Sequence, residues 1–460
     1  MENKSNLLQM NNKELIQKIC SGDLIICVIG IGRIGLPTAL SFAKSGLSTI
    51  GLDINSDLVQ KINSGDFPLK DEPNYDVIFD EVLKNKKFYA SINVNEVIPK
   101  SNVILLSLPT PMDENNIPDY SALKSVAKQL HELLTPGSLV VVESTIEPGF
   151  LENEMIPIIE GDKKRLESGT NFGIGVCPET ANPGEIMIDF EKLPRLVGGI
   201  NKISADIITE LYKHVFPVQL IPMPDCKTAN AVKLTTNVFR DVNIAFVNEL
   251  SILFEKLGID INIVLEAAKT KYNFQVHYPG AGVGGPCLPI NSYQFLNLSK
   301  KFDNNLLTII KASRQRNESM PLYVVNMINE IFSKEGKSLK NCSLLILGVS
   351  YKPNVKDIQL TPAEIIIKKL QNMGAKIRIF DPYFTSVNVF GIKTEHNLEP
   401  ALSEVDGIVL LTAHKEFLNI TPSFLKLKMK NPIVIDTRGV FDVHEAEKSG
   451  LIFRSLGRKF

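Results

Sequence analysis

No stretch of this 460-residue chain approaches eighteen uninterrupted apolar residues, so the sequence offers no membrane-spanning helix. The opening segment, MENKSNLLQMNNKELIQKIC, lacks the apolar core of a secretory signal, and a cytoplasmic protein is expected. Neither sign of charge dominates. Fifty Lys and Arg stand against 51 Asp and Glu, a net charge of −1, so no global basic field draws nucleic acid. An acidic ligand must be met by a local cluster of Lys and Arg. Cysteine is sparse: the six, at 20, 27, 177, 226, 287 and 342, form no CxxC pair, and the six histidines form no HExxH. No metal site is expected, and in a chain of this size and setting no disulfide either. Cys27 lies within an apolar run and Cys342 borders another, so both read as core thiols.

What the chain does have is glycine in two telling places. Gly280–Asn291 reads GAGVGGPCLPIN, with four glycines and two prolines before and around one thiol, Cys287. Glycines let a backbone approach a ligand closely, so the thiol reads as displayed rather than packed away. Gly30–Gly35 reads GIGRIG, after an apolar run and before a helical one.

Two copies of one pattern flank a helical middle. The first copy runs Leu24–Gly30, Ser48–Ile54, Asn102–Pro109 and Ser138–Thr145. The second runs Ser343–Val349, Lys376–Pro382, Gly407–Ala413 and Pro432–Arg438. Short apolar runs closed by turn residues are strands of a parallel sheet covered on both faces. Helical stretches at Leu36–Ser45, Tyr120–Leu134 and Ala363–Gly374 lie between them. The expected class is α/β: two Rossmann-like, doubly wound domains joined by a long central helix. That helix is Asp225–Leu257, free of Gly and Pro, with Val232, Leu234, Val238, Val242, Ala245, Phe246 and Leu250 at helical spacing. About 30 residues make it roughly 45 Å long. Spare apolar surface along it suggests a homodimer contact. Leu15, Ile16 and Ile19 suggest a short docking helix at the N-terminus, and Ser333–Lys340 a surface linker. The expected division is an arm at 1–22, a dinucleotide domain at 23–215, a central segment with the Cys287 loop at 216–335, and a second Rossmann-like domain at 336–460.

At the nucleotide end, Gly30 permits the tight turn, Gly32 lets the backbone approach a pyrophosphate, and Gly35 allows close helix–strand packing. Arg33 and Ile34 lie in the same turn, and the following helix N-terminus faces the phosphates. Asp53, ending the second run, accepts from a ribose 2′-hydroxyl and repels a 2′-phosphate, which favours NAD over NADP. The second copy has LGVSYKP at the equivalent place, without the glycine triplet.

Four pieces suit one chemistry. A cysteine thiolate adds to an aldehyde, and loss of hydride from the adduct gives a thioester. An enzyme that makes an acid needs such a hold on the aldehyde; one that makes a ketone does not. Lys233 and Asn237 are one helical turn apart and can stabilise an oxyanion. Taken alone, a Lys on a long helix is ordinarily solvated. Glu179, in VCPET, follows a strand-end turn where a carboxylate can activate water. Thr145, in EST, ends a strand of the first sheet, where ligands bind.

In this order the pieces resemble the UDP-glucose/GDP-mannose dehydrogenase family. The likeness spans nearly the whole chain: GIGRIGLP at Gly30, SLPTP at Ser107, ESTIEPG at Glu143, CPE at Cys177, NVFRDVNIAFVNEL at Asn237, GGPCLP at Gly284, LGVSYKPNVKD at Leu347 and IDTRG at Ile435. The resemblance implies NAD in the first domain, a UDP-sugar in the second, and oxidation of the C6 alcohol to a carboxylate with two NAD per turnover. It implies Cys287 as nucleophile, Lys233 and Asn237 at C6, Glu179 on water and Thr145 in support. Thr110 and Arg438 would join the cofactor, and Arg240, Gly284 and Lys352 the substrate. RDVNIAFVNEL with Arg240, and the N-terminal KELIQKICSG, are more similar to the branch acting on UDP-N-acetylhexosamines, with N-acetylmannosamine favoured over N-acetylglucosamine. The alternatives are a UDP-glucose or GDP-mannose 6-dehydrogenase, a weakened sugar-nucleotide-binding relative, or a two-electron hydroxyacid-type dehydrogenase. Three departures stand out. Ile290 and Asn291 replace Lys and Asp after the cysteine, Gln359 stands where an Asp-x-Arg is common, and Thr180 stands where Arg is common.

Overall fold

Each of the eight apolar runs becomes a parallel strand, shortened at its ends by the polar or turn residues that closed the run. A computed structural model describes residues 6–70, 72, 74–162, 165–182 and 184–458. Residues 1–5 of the expected arm and 459–460 of the expected last domain lie outside the described residues. The chain divides into two units, Met1–Thr236 and Asn237–Phe460. The division falls inside the long helix Cys226–Leu257, so the expected central segment 216–335 is shared between them.

The first unit carries an eight-stranded sheet: β1 Ile25–Ile29, β2 Ser48–Leu52, β3 Phe88–Ser91, β4 Val103–Leu106, β5 Leu139–Val142, β6 Gly173–Val176, β7 Arg195–Gly199 and β8 Leu220–Pro222. Their order is β3-β2-β1-β4-β5-β6-β7-β8, parallel except for the antiparallel β6–β7 pair. All four residues of β4 and of β5 are fully buried, because helices cover both faces. Strands β3 and β6 to β8 are not among the eight runs. β3, FYAS, turns Tyr89 to solvent, and half of β6, GIGV, is glycine, so neither reads as a continuous apolar run.

The N-terminal helix Asn12–Ser21 forms because Asn11 and Glu14 make a reciprocal capping box and Gly22 ends it in the left-handed conformation. Leu15 and Ile19 enter the first core beside Leu7, whereas Ile16 is 40% exposed, contrary to the expected face. Residues 15 and 19 are one turn apart, while 16 is rotated about 100° from 15.

The second unit carries β9 Ser343–Leu347, β10 Lys376–Phe380, a two-stranded ribbon of β11 Asn388–Val389 and β12 Ile392–Lys393, then β13 Gly407–Leu410, β14 Ile433–Asp436 and β15 Ile452–Ser455. The main sheet, β10-β9-β13-β14-β15, is all parallel. The strand order reverses beside the first strand in both sheets, which opens a crevice at the carboxyl ends. Helices Leu288–Ser299 and Thr308–Lys334 also belong to this unit. The expected linker begins inside the latter helix and buries Leu339, so it is only in part a surface segment.

Phe246, one of the apolar positions at helical spacing on the long helix, faces outward. It is about half exposed, with Phe239 and Leu253 seven residues to either side equally so. Cys27 is fully buried, and burial pushes its thiol up to about 12, as expected of a core cysteine. Cys342 lies at the margin of the second core, partly exposed.

Candidate active site

The first unit gathers Gly30, Gly32, Arg33, Ile34, Gly35, Asp53, Thr110 and Thr145 at the carboxyl ends of β1, β2, β4 and β5. Gly30 adopts φ 87°, and its N–H donates to the Leu52 carbonyl at 2.8 Å. A methyl group at Gly35 would sit 1.8 Å from the Gly30 carbonyl oxygen, so only glycine lets the helix Gly35–Lys44 start so close to the strand. At Gly32 nothing lies within 4 Å of the space a side chain would fill. Asp53 Oδ2 accepts from Ile31 N–H at 3.0 Å and Oδ1 from Asn55 N–H at 2.9 Å, leaving lone pairs on a partly exposed carboxylate. Open space over the turn, a helix N-terminus and a carboxylate suited to a ribose diol fit NAD. Arg33 is held back by an ion pair with buried Glu72 at 3.3 Å. Thr110 Oγ1 donates to the Thr145 carbonyl at 3.0 Å, which joins the ends of β4 and β5.

Glu179 follows β6 as expected, but its surroundings are not those of an open carboxylate. Oε1 accepts from the N–H groups of Thr180 and Ala181 at 2.7 and 2.8 Å. Oε2 accepts from Arg195 at 2.6 Å. Three of its roughly four lone-pair positions are filled. Arg195, on β7, is buried with its guanidinium 3.7 Å from the centre of the Phe216 ring and 4.5 Å from that of Phe190. An Arg on a strand gives no signal of such a partner in sequence. Because Thr180 holds Glu179 through its backbone N–H, the Arg common at that position is not needed for this contact. Glu143, in the EST motif, is also buried and accepts from Tyr212 Oη at 2.6 Å. Burial, with the Glu179 charge second, pushes its carboxyl up to about 7.

Lys233 and Asn237 are buried to the same degree, each 8% exposed, one turn apart on the long helix. The solvated-lysine reading of Lys233 is therefore excluded. Arg240, three residues further, is exposed.

In the second unit Cys287 is exposed and immediately precedes helix Leu288–Ser299, which Pro289 helps to start. The glycines before it serve a purpose the sequence did not suggest. A methyl group at Gly284 would lie 2.6 Å from the Leu360 carbonyl oxygen, and one at Gly285 2.5 Å from the Tyr351 ring. Gly285 also has φ 81°. These residues bring the loop against its own unit, and that packing holds the thiol outward. Gln359 contributes backbone groups: its carbonyl accepts from Gly285 N–H at 2.9 Å and its N–H donates to Asp357 Oδ1 at 2.9 Å, so these contacts survive the change of side chain.

Asn291, the residue in place of Asp, is buried one turn beyond Cys287. Its Oδ1 accepts from Asn237 Nδ2 at 2.6 Å, and its Nδ2 donates to Gln294 at 3.1 Å. Ser292, on the same helix, donates to buried Asp241 at 2.7 Å, and Asp241 also accepts from Arg314 at 2.9 Å. These contacts lock the Cys287 helix to the long helix, and Tyr293 Oη, donating to Glu318 at 2.7 Å, joins it to Thr308–Lys334. Asp241 and Arg314 carry no motif that marks them beforehand. Lys352 lies in the loop after β9, and Arg438 follows β14. Arg438 lines a cleft with Ala281, Gly282, Ser350 and Thr361, and the chain neighbours of Lys352, Tyr351 and Pro353, line it too. Among the described residues no cluster of His, Cys, Asp and Glu is arranged for a metal, and no helix is long and apolar enough to cross a membrane.

Models of three domains match along the chain. The NAD-binding domain of the UDP-glucose/GDP-mannose dehydrogenase family matches residues 24–216, its central domain 227–319 and its UDP-binding domain 345–443. The chain is 33% identical to a UDP-N-acetyl-D-mannosamine dehydrogenase of Pyrococcus horikoshii, over 94% of this chain and 99% of that one. It is 29% identical to a UDP-N-acetyl-D-glucosamine 6-dehydrogenase of Pseudomonas aeruginosa, over 92% and 99%. The solved structure of the Pyrococcus horikoshii UDP-D-ManNAc dehydrogenase superposes with a TM-score of 0.87 over 95% of this chain and 99% of that one. With a sheet that fits NAD, a second nucleotide-type sheet and these matches over most of its length, the chain belongs to the UDP-glucose/GDP-mannose dehydrogenase family and is an NAD-dependent UDP-sugar dehydrogenase.

Proposed function

We propose that the protein oxidises the C6 alcohol of a UDP-N-acetylhexosamine, UDP-N-acetyl-D-mannosamine first, to the uronic acid through a covalent adduct on Cys287. The observation that carries this reading is the exposed thiol at the head of helix Leu288–Ser299, set on a loop whose glycines pack it against its own unit. The names of the relatives support an N-acetylhexosamine, and the higher identity is to the mannosamine enzyme.

When bound, NAD supplies the hydride acceptor for each of two oxidations. The first removes a hydride and a proton from the alcohol and leaves an aldehyde. Cys287 Sγ then bonds to C6 and the thiol proton passes to the former aldehyde oxygen, giving a thiohemiacetal. Loss of a second hydride and the hydroxyl proton gives a thioester. Water adds to that carbonyl and the sulfur leaves, so one alcohol, two NAD and one water yield one carboxylate, two NADH and three protons. Lys233 and Asn237 carry the negative charge that develops on the C6 oxygen. Glu179 directs the water through its remaining lone pair while Arg195 fixes the carboxylate, and Thr145 supports the pocket. Arg240, Gly284 and Lys352 meet the substrate, and Arg438 the cofactor. Half-exposed Phe239, Phe246 and Leu253, at seven-residue spacing, form the face of a homodimer.

Purified protein with NAD is assayed against UDP-N-acetylmannosamine, UDP-N-acetylglucosamine, UDP-glucose and GDP-mannose. Two NADH per sugar are expected with the first, and none of the acid from Cys287→Ser. One NADH with accumulating aldehyde, or acid formation that survives Cys287→Ser, overturns the covalent route.

A further inference from the structure

The two sheets end alike up to a point, and then they part. In the first, Gly30 N–H donates to Leu52 at 2.8 Å, and Asp53 accepts from Ile31 N–H on Oδ2 and from Asn55 N–H on Oδ1. In the second, Gly348 N–H donates to Phe380 at 3.0 Å. Asp381 accepts from Val349 N–H on Oδ2 at 2.8 Å and from Tyr383 N–H on Oδ1 at 2.9 Å. Both glycines have positive φ, 87° and 80°. Residue for residue, Asp381 is the Asp53 of the second sheet.

The likeness stops at the next step. Where Gly32 leaves open space, Ser350 is buried and donates to the Val355 carbonyl at 2.7 Å. Asp53 is partly exposed, but Asp381 is fully buried, and His414 Nε2 lies 3.1 Å from its Oδ2. His414 is equally buried, and its Nδ1 accepts from Asn354 N–H at 2.9 Å. Since a backbone N–H can only donate, Nδ1 is bare and the ring proton sits on Nε2, directed at Asp381. Asn354 is held at φ 61°, and its Oδ1 accepts from Lys415 N–H at 2.9 Å. Tyr351 N–H donates to the Asp357 carbonyl at 3.1 Å and closes the loop that carries Lys352.

We propose that His414 is a positioning residue for substrate binding: it takes the side of Asp381 that Asp53 leaves to a ribose hydroxyl, and uses that anchor to hold the 350–357 loop in the shape that presents Lys352 to the diphosphate of the nucleotide sugar. Asp381 is already held by the N–H groups of Val349, Ser350 and Tyr383, and the imidazole adds a further donor on Oδ2 while closing the second sheet to a dinucleotide ribose. The remaining ring nitrogen then fixes a loop backbone that no neighbouring strand pairs with. The proposal rests on the UDP-sugar reading given above.

The test compares the full-length wild type with His414→Gln, which keeps an amide donor for Asp381 but lacks the second ring nitrogen, and with Asn354→Gly, which keeps the backbone angle but loses the side-chain hold on Lys415. UDP and NAD binding are measured separately by calorimetry, with sugar KM, kcat and amide exchange at Asn354. One lost hydrogen bond corresponds to roughly a fivefold change in a dissociation constant. His414→Gln is expected to raise the UDP Kd and sugar KM about five- to tenfold, leave NAD Kd and kcat within about twofold, and speed exchange at Asn354. Asn354→Gly, at an exposed residue, is expected to shift UDP binding the same way by about threefold. UDP binding unchanged in both variants, or equal loss of UDP and NAD binding in both, overturns the proposal. A wild type that does not bind UDP overturns the substrate reading and this inference with it; wild-type binding with unaffected variants overturns this inference alone.

Discussion

The side-chain amide of Asn237 donates to Asn291 Oδ1 across 2.6 Å, between the long helix and the helix that follows Cys287. A departure that sequence alone reads as the loss of a carboxylate is, in three dimensions, a neutral amide that orients a proposed active-site residue. Asn291→Ala leaves a buried donor unpaired, at a cost of about 1–3 kcal/mol in stability. It is expected to lower kcat by more than it changes NAD binding, read by thermal melts alongside steady-state kinetics. Asn291→Asp restores an acceptor for Asn237 and is expected to recover more activity than Ala.

In the Glu179–Arg195 pair the arginine is buried and the carboxylate side chain nearly so, at 3% and 9% exposed. Removing one partner strands the other charge, so Arg195→Met is expected to destabilise the first unit by about 3–5 kcal/mol. Glu179→Gln keeps two backbone acceptor contacts and is expected to cost less in stability while slowing thioester hydrolysis. Denaturant melts and single-turnover detection of the enzyme-bound acyl group separate the two effects.

Glu143 gives a pH signature. Its folded carboxyl, pushed to about 7 chiefly by burial, holds a proton that the unfolded chain has released above its ordinary value of 4.5. Native protein thus binds more protons between these limits, and its stability falls as pH rises from about 4.5 through 7, then levels. Glu143→Gln cannot ionise and is expected to flatten that decline. Melting temperatures at pH 5, 6, 7 and 8 for both proteins are the measure, and identical slopes would remove the buried acid from the account.

Asp53 is expected to set the cofactor. Asp53→Ser relieves the repulsion of a 2′-phosphate while losing a strong acceptor for the 2′-hydroxyl. KM for NAD is expected to rise about tenfold, as for loss of a hydrogen bond to a charged group, and the preference over NADP to narrow.

The exposed stripe of Phe239, Phe246 and Leu253 predicts that Phe246→Asp weakens self-association. Sedimentation at micromolar concentration is expected to show the wild type as a dimer and the variant shifted toward monomer. A monomeric wild type would remove the dimer face.

The sequence by itself determined the parallel core strands of both sheets, the long helix, the glycine turn preceding Asp53, and an exposed cysteine. Each rests on local rules: apolar runs closed by turns make buried strands, glycine triplets make tight strand–helix corners, and helical spacing shows without knowledge of neighbours. Only the tertiary structure decided which carboxylates are paired, that Lys233 is buried, that Asn291 serves Asn237, and that the loop glycines back onto Leu360 and Tyr351. Those contacts join residues far apart in the chain: Asn237 and Asn291 are 54 positions apart, and Asp381 and His414 are 33. No periodicity records such a meeting, because it is the packing of whole elements that brings these polar groups within reach and removes the water that would otherwise have satisfied them.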